Sequence, residues 1–342
     1  MIKNYLKELE NCKLCEWRCG VNRLEGELGV CKMSTPKVAS CQLHPAPPQS
    51  YTIFLTGCNY RCLNCQNHHI AHLPDQLYFP SGFIKPEILA KDSIEMINSI
   101  PGRSIGADRI FFSGGEPTIH LPYVEEIVNS ARRIDPKIKV NFDTNGFLTK
   151  KSLNRVIELT TSVTFDIKAY SDEVHRALTG APVKPVLRNA KVIGKKAKEK
   201  LWEYRILVIP EIVDLEEVIS ICEFIASIDP TLPVSFLAFR PNFALDKHYG
   251  APSTLMERIM EEAESIGLEN FHWSGRADIK GYDTSTILSG KENLRSKYNS
   301  DSALTAGAFA LSLGCKTHPR NCKICGSKHT CPIKRYQPLR HV

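Results

Sequence analysis

YTIFLTGCNYRCLNC, residues 51–65, is the stretch that decides the fold. Its first six residues form an apolar, strand-like run, and Cys58, Cys62 and Cys65 follow with C-x3-C-x2-C spacing. Iron–sulfur clusters are normally held by four cysteines, so a set of three leaves one iron open for a small molecule. A zinc knuckle is the alternative, but such sites need four ligands, usually with paired C-x2-C spacing. The spacing favours an open cluster in a loop after a strand, where α/β barrels carry their chemistry.

Apolar, strand-like runs alternate with amphipathic helical patterns from residue 51 onward. We predict strands at 51–56, 107–112, 138–143, 162–167, 204–209 and 233–239. This alternation implies parallel βα units with right-handed crossovers. Six units do not complete the eight of a closed barrel, so we expect an α/β fold, a partial (βα)6 TIM-like barrel with cysteine-rich N- and C-terminal extensions. The predicted boundaries are 1–50 for the N-terminal segment, 51–245 for the barrel and 246–342 for the C-terminal extension.

Composition narrows the class of protein. The 342 residues are 42% hydrophobic, with no apolar run long enough to span a bilayer and no signal peptide. The 13 cysteines occur in clusters, which favours metal binding in a reducing cytoplasm over disulfides. The net charge of +7 is matched by seven basic residues in 315–342, a segment without acids. Metal-bound thiolates there would cancel much of this charge, so we favour metal over nucleic-acid binding.

Three later segments follow the cysteine loop at the ends of predicted strands. They are SGGEP at 113–117, DTNGF at 143–147 and DIK at 166–168. Together with the cysteine triad, these segments resemble the radical SAM (S-adenosylmethionine) superfamily over residues 51–245. Within it they resemble the pyruvate formate-lyase activating enzyme-like group, whose partners are glycyl-radical enzymes.

The resemblance implies a [4Fe–4S] cluster on the triad, with the amino and carboxylate groups of SAM on the open iron. The reduced cluster then cleaves SAM to methionine and a 5′-deoxyadenosyl radical. In the family, the GGEP backbone and its glutamate hold the methionine amino group. The matching residues here are Gly114, Gly115 and Glu116. An open-site cluster is vulnerable to oxygen, which predicts an anaerobic source.

Acidic residues at two strand ends are further candidates. Asp143, with the adjacent Thr144, and Asp166 match activase positions that hold a monovalent cation beside the SAM carboxylate. Oxygen ligands suit such hard cations. The alternative is that both carboxylates cap the helices that follow.

Three basic residues complete the candidate SAM site. Arg205 matches an activase arginine near SAM and is expected to pair with a carboxylate, an internal salt bridge being the alternative. Lys168 either reaches the site or lies on the surface. Arg240 stands where activases carry a histidine, so it either replaces that residue at SAM or marks a different substrate.

Two sets of four cysteines lie outside the barrel. The N-terminal tetrad consists of Cys12, Cys15, Cys19 and Cys31. The C-terminal tetrad consists of Cys315, Cys322, Cys325 and Cys331. Each has the ligand count of a closed site for zinc, for a rubredoxin-like iron or for a second Fe–S cluster. Free thiols are the alternative, and because chain termini are often neighbours, ligands from the two ends could also be shared.

The combined reading is a cytoplasmic radical SAM enzyme that abstracts hydrogen from a protein or peptide, as a glycyl-radical activase does. A ferredoxin or flavodoxin would supply the electron. The rival enzyme is a cobalamin-dependent C-methyltransferase that modifies a protein such as methyl-coenzyme M reductase. The non-enzyme rival is a multi-cluster electron-transfer protein, which explains neither GGEP nor the missing fourth ligand.

Overall fold

The computed structural model describes residues 4–72 and 82–312. The chain divides into two units. The first comprises Met1–Asn59, Asn67–Asp166 and Lys196–Trp202. The second comprises Tyr60–Gln66, Ile167–Lys195 and Glu203–Val342. The predicted domain boundaries at 50 and 245 stay predictions.

The described residues of the first unit carry five complete strands and five α-helices. In chain order these are β1 (Val38–His44), β2 (Ser50–Leu55), α1 (His68–Ala71), α2 (Pro86–Asn98), α3 (Ile100–Ser104), β3 (Arg109–Gly114), α4 (Leu121–Ile134), β4 (Lys139–Thr144), α5 (Lys150–Leu159) and β5 (Ser162–Asp166). Short 3-10 helices cover Asn4–Asn11, Arg23–Glu25 and Pro117–His120. β1 pairs with β2 in antiparallel fashion, whereas β2 to β5 pair in parallel and in sequence order.

The remaining strands and helices follow the same alternation. They are α6 (Asp172–Thr179), α7 (Lys184–Lys196), β6 (Leu201–Val208), α8 (Leu215–Ala226), β7 (Val234–Ala238), α9 (Ser253–Ile266), β8 (Phe271–Ser274), α10 (Ser285–Leu288) and α11 (Asp301–Ser312). Further 3-10 helices cover Lys198–Lys200, Phe243–Leu245 and Ser289–Leu294. β6, β7 and β8 are parallel neighbours.

Helix α4 shows how the sequence positions these elements. Pro122 lies in its first turn, where proline costs no helical hydrogen bond. Val124, Ile127 and Val128 recur at helical spacing and are fully buried. This buried stripe stabilises the helix in the fold.

All six predicted strands are present within a few residues of their predicted bounds. The strand order runs from β1 to β8 without returning to β1. The expected α/β fold with an open, TIM-like parallel sheet is therefore confirmed. Two strands were not predicted: β1, inside the cysteine-rich N-terminal segment, and the four-residue β8. Within the described ranges, no helix is long and apolar enough to cross a membrane.

Candidate active site

Two glycines bring the end of β3 against the loop that follows β2. The amide of Gly115 donates to the carbonyl of Leu55 (2.8 Å), and the amide of Glu116 donates to that of Gly57 (2.9 Å). Gly114 has a positive φ of 115°, and a Cβ there would stand 2.2 Å from the Leu55 carbonyl oxygen. A Cβ on Gly115 would stand 1.9 Å from the Gly57 oxygen. Only glycine permits this approach, which holds the GGEP backbone beside the residue that precedes Cys58.

The carboxylate of Glu116 is buried and ties the ends of β3 and β4 together. Its Oε1 accepts hydrogen bonds from the Thr118 amide (3.1 Å), the Thr118 hydroxyl (2.6 Å) and the Thr144 hydroxyl (2.9 Å). Its Oε2 accepts from the Asn145 amide (2.8 Å). Burial raises the pKa of Glu116 to about 7, although these hydrogen bonds act in the opposite direction. Four donors around one carboxylate hold it in a single orientation at the strand ends.

Asn145 links this carboxylate to the first cysteine of the triad. Its side-chain Nδ2 donates to Asn59 Oδ1 (2.7 Å) and lies 3.7 Å from the Sγ of Cys58. Its Oδ1 accepts from the Phe147 amide (3.1 Å), which fixes the side chain. Sequence reasoning did not identify Asn145 as a site residue. The available signal was its position directly after the strand-end pair Asp143-Thr144.

The residues around Cys58 suit an iron–sulfur ligand. The Cys58 side chain is buried at 8% exposure, with the Asn145 amide directed at its sulfur. In the described structure the neighbouring Asn59 Nδ2 is also buried and has no hydrogen-bond partner. A buried donor without an acceptor is costly, and the sulfur atoms of a cluster accept such N–H groups.

Asp143 and Asp166 lie on one face at the ends of adjacent strands. Asp143 is in register with Thr164, two residues before Asp166 on β5, and residues two apart share a face. Ser113 donates to Asp143 Oδ2 (2.9 Å). The helix-capping alternative is wrong for both carboxylates, because α5 has Thr149 as its N-cap residue and α6 starts after Ser171. The role of the two carboxylates at a cation stays a prediction.

The other two cysteines of the triad belong to the second unit. Cys62 is buried and Cys65 is half-buried. The amides of Arg61 and Leu63 donate to carbonyl groups in the last turn of α6, at 2.9 and 3.0 Å. The loop segment 60–66 is thereby held on the C-terminal end of that helix.

The three basic candidates of the second unit differ in their surroundings. Arg205 forms an ion pair with Glu203 on the same strand, with 2.7 Å between Nη2 and Oε1. Its predicted alternative, an internal salt bridge, is therefore present. Lys168 is half-buried, and Arg240 is exposed just after β7.

The N-terminal tetrad lies in the first unit, whereas the C-terminal tetrad lies outside the described residues. Cys12 and Cys15 are half-buried, Cys19 is exposed and Cys31 is buried. Across residues 4–72 and 82–312, no three cysteine, histidine or acidic side chains stand close enough to hold one metal ion.

Comparison with known proteins places this site in a family. A profile of the radical SAM superfamily matches residues 52–225, half of the chain. The chain belongs to the radical SAM superfamily. This membership confirms the resemblance drawn from the cysteine triad and GGEP, and it implies a [4Fe–4S] cluster and SAM as cofactors.

The relatives of this radical SAM protein include activating enzymes. A pyruvate formate-lyase-activating enzyme of Staphylococcus epidermidis is 28% identical over 195 residues, covering 54% of this chain and 71% of that enzyme. An uncharacterized protein of Methanocaldococcus jannaschii is 25% identical over 342 residues, covering 93% of this chain and 94% of that protein. Another uncharacterized protein of that organism is 33% identical over 156 residues, and the chain spans only 43% of its length. Among solved structures, Streptococcus suis SuiB bound to S-adenosylmethionine matches 64% of this chain and 48% of its own, with 16% identity and a TM-score of 0.47.

Proposed function

We propose that this radical SAM protein reductively cleaves SAM and abstracts a hydrogen atom from a protein or peptide. The observation that carries the proposal lies in the first unit. There the GGEP backbone is hydrogen-bonded to the loop before Cys58, and Asn145 joins Glu116 to the Cys58 sulfur. The superfamily's cluster ligand and its methionine-binding segment are thus parts of one hydrogen-bonded network.

The roles of the residues follow from their chemistry. Cys58, Cys62 and Cys65 would hold the [4Fe–4S] cluster, which supplies the electron that breaks the S–C5′ bond of SAM. Gly114 and Gly115 would allow a close approach of the methionine end to the backbone, because neither carries a side chain. Glu116 would orient this segment and favour the nearby ammonium group by charge.

The polar residues at the other strand ends would position the rest of SAM. Asp143 and Asp166, with Thr144, would hold a monovalent cation beside the SAM carboxylate. Arg205, Lys168 and Arg240 are proposed to contact SAM or substrate.

A polypeptide substrate is supported by the relatives. An enzyme named for activating pyruvate formate-lyase acts on another protein, and it is 28% identical to this chain over 195 residues. We propose the same substrate class here, with hydrogen abstraction at a Cα. The reaction needs a one-electron reductant of the ferredoxin or flavodoxin class, and we place it in a reducing cytoplasm.

The test uses anaerobically purified, reduced protein with lysate peptides and methyl-labelled SAM. We expect 5′-deoxyadenosine and a persistent organic radical on a polypeptide, with no label transferred. Replacement of Cys58, Cys62 and Cys65 by Ala should abolish both signals, whereas Cys41→Ser, on β1, should keep them. Undiminished 5′-deoxyadenosine from the triple variant would overturn the cluster assignment. Label in protein would indicate a methyltransferase, and consumption of a small molecule would exclude the polypeptide substrate.

A further inference from the structure

The N-terminal segment 12–31 folds back on itself and gathers its cysteines. The amide of Cys12 donates to the carbonyl of Val21 (3.1 Å), and the amide of Gly20 donates back to the carbonyl of Cys12 (2.9 Å). Gly29 packs so tightly against Cys19 that a Cβ there would stand 2.8 Å from the sulfur. This fold brings Cys12 close to Gly20, the residue after Cys19, and brings Cys19 close to Gly29, two residues before Cys31.

Packing agrees with this gathering of thiols. Cys31 belongs to a small buried cluster with Ile119. The carbonyl of Ile119 accepts a hydrogen bond from Arg23, whose Nη1 lies 3.7 Å from the Sγ of Cys12.

A buried guanidinium lies directly beside this group. Arg23 is 1% exposed, and its Nη1 lies 3.7 Å from the Sγ of Cys12. Its other contacts are the carbonyls of Ser34 (2.8 Å) and Ile119 (2.6 Å) and the Nδ1 of His120 (3.2 Å). None of these contacts in the described structure is a carboxylate. A buried cation is costly unless an anion pairs with it, and among these contacts of Arg23 the group that can become an anion is the Cys12 thiol.

We propose that Cys12, Cys15, Cys19 and Cys31 hold a second [4Fe–4S] cluster, whose negative charge is balanced by Arg23. In a tetrahedral zinc site with Zn–S bonds of about 2.3 Å, the sulfurs stand about 3.8 Å apart. In a cubane each thiolate binds a different iron, so its ligands stand farther apart. The chain reversal gathers the thiols, yet within the described residues no three of them stand close enough to share one metal ion. The wider spacing of the ligands of a cluster fits this arrangement.

Residues around the proposed centre form hydrogen bonds with the cysteine loop on both sides of Cys58. On one side, His120 Nε2 donates to the carbonyl of Thr56 (2.8 Å) while its Nδ1 accepts from Arg23. On the other, the indole Nε1 of Trp17 donates to the carbonyl of Asn59 (2.8 Å). Arg23 is therefore a positioning residue that joins the N-terminal centre to the GGEP segment. The proposal does not depend on which substrate the enzyme uses.

The first test isolates the centre in the full-length chain. Seven cysteines, the triad and the C-terminal tetrad, are replaced by Ser, and iron, sulfide and zinc are measured after anaerobic reconstitution. We expect about four irons and four sulfides per chain. Adding Cys15→Ser should remove them, whereas adding Cys41→Ser should not. Zinc at one per chain, or no metal in a folded variant, would overturn the proposal.

Single variants provide a second test in case the variant with seven replaced cysteines does not fold. In the otherwise native chain, Cys15→Ser should lower the iron content by about four per chain, with Cys41→Ser as the matched control. If both variants hold the same iron and circular dichroism shows both folded, the cluster assignment is wrong. SAM cleavage is assayed separately with the triad variants, so failure of the proposed reaction and failure of this centre give different results.

The reduction potential of the N-terminal cluster tests whether Arg23 balances its charge. A redox titration followed by electron paramagnetic resonance should give a more negative potential for the N-terminal cluster in Arg23→Met, because a nearby positive charge favours the reduced form. Arg23→Lys keeps the charge and should stay near the native value. Equal potentials in the native chain and in Arg23→Met would refute the charge-balancing role.

Discussion

Asn145 shows how a single amide can tune the proposed cluster. Its Nδ2 lies 3.7 Å from the Cys58 sulfur, and its backbone amide donates to Glu116. Hydrogen bonds to cluster sulfurs raise the reduction potential, because they stabilise the added negative charge. Alanine at this position removes the side-chain contact and keeps the backbone contact.

We therefore expect Asn145→Ala to lower the potential of the SAM-binding cluster. A net hydrogen-bond contribution of about 1 kcal/mol corresponds to about 40 mV for one electron. SAM cleavage with a weak reductant should slow accordingly. Asn129→Ala, on an exposed position of α4, is the matched control. An unshifted potential in Asn145→Ala, measured by anaerobic redox titration, would count against the N–H to sulfur contact.

Glu116 makes stability depend on pH. Its pKa is raised from 4.5 to about 7 in the fold, so the native state binds more protons than the unfolded state between these values. Stability should therefore fall as pH rises from about 4.5 to 7, by up to about 3 kcal/mol. Glu116→Gln lacks this titration, and its unfolding free energy should change less over the same range. Denaturation curves at pH 5, 6 and 7 measure the difference, and parallel slopes for both proteins would exclude the effect.

At the scale of elements, the end of β3 can pack against the cysteine loop only because Gly114 and Gly115 have no side chains. A Cβ on Gly115 would stand 1.9 Å from the Gly57 carbonyl oxygen and 3.3 Å from the Cα of Ala71. Both neighbours are backbone atoms, so neither can rotate away. The strand end and the loop would have to separate to accommodate even a methyl group.

Gly115→Ala should therefore destabilise the protein by about 1–3 kcal/mol, the usual cost of overpacking. SAM binding should weaken as well, because the loop before Cys58 moves with it. Gly290→Ala is the control, since its Cβ would meet nothing closer than 4.0 Å. That change should stay within about 0.5 kcal/mol. Thermal unfolding and SAM titration of both variants decide the point, and equal stability of the two would show that the approach of β3 is not constrained.

At the scale of the whole molecule, SAM binding should stabilise the holoprotein. A ligand at 100 times its Kd adds about 2.7 kcal/mol. For a chain of 342 residues, this corresponds to a rise in Tm of about 4 °C. The shift should disappear when Cys58, Cys62 and Cys65 are replaced by Ala and persist in Cys41→Ser. If SAM raises the Tm of the triad variant by the full amount, measured by anaerobic thermal unfolding, then SAM binding does not depend on the cluster.

Local sequence patterns were enough to predict most strands of this protein and its superfamily. Six apolar runs predicted six strands, and the C-x3-C-x2-C loop with GGEP predicted the superfamily. These features are local, because a strand run or a ligand spacing is complete within a few residues. β8 was missed because four residues are too few to show a period. β1 was missed although residues 40–44 alternate in polarity, because this alternation covers only five residues inside the cysteine-rich segment.

Only the tertiary structure decided which side chains meet. The register of β3, β4 and β5 places Ser113 beside Asp143, and Asp143 on one face with Asp166. It also shows that Thr149, and not Asp143, caps α5. The contact between Asn145 and Cys58 joins residues 87 positions apart, and that between Arg23 and His120 joins residues 97 apart. No local pattern encodes such pairs, because they arise from strand register and chain reversal, which depend on the packing of the whole unit.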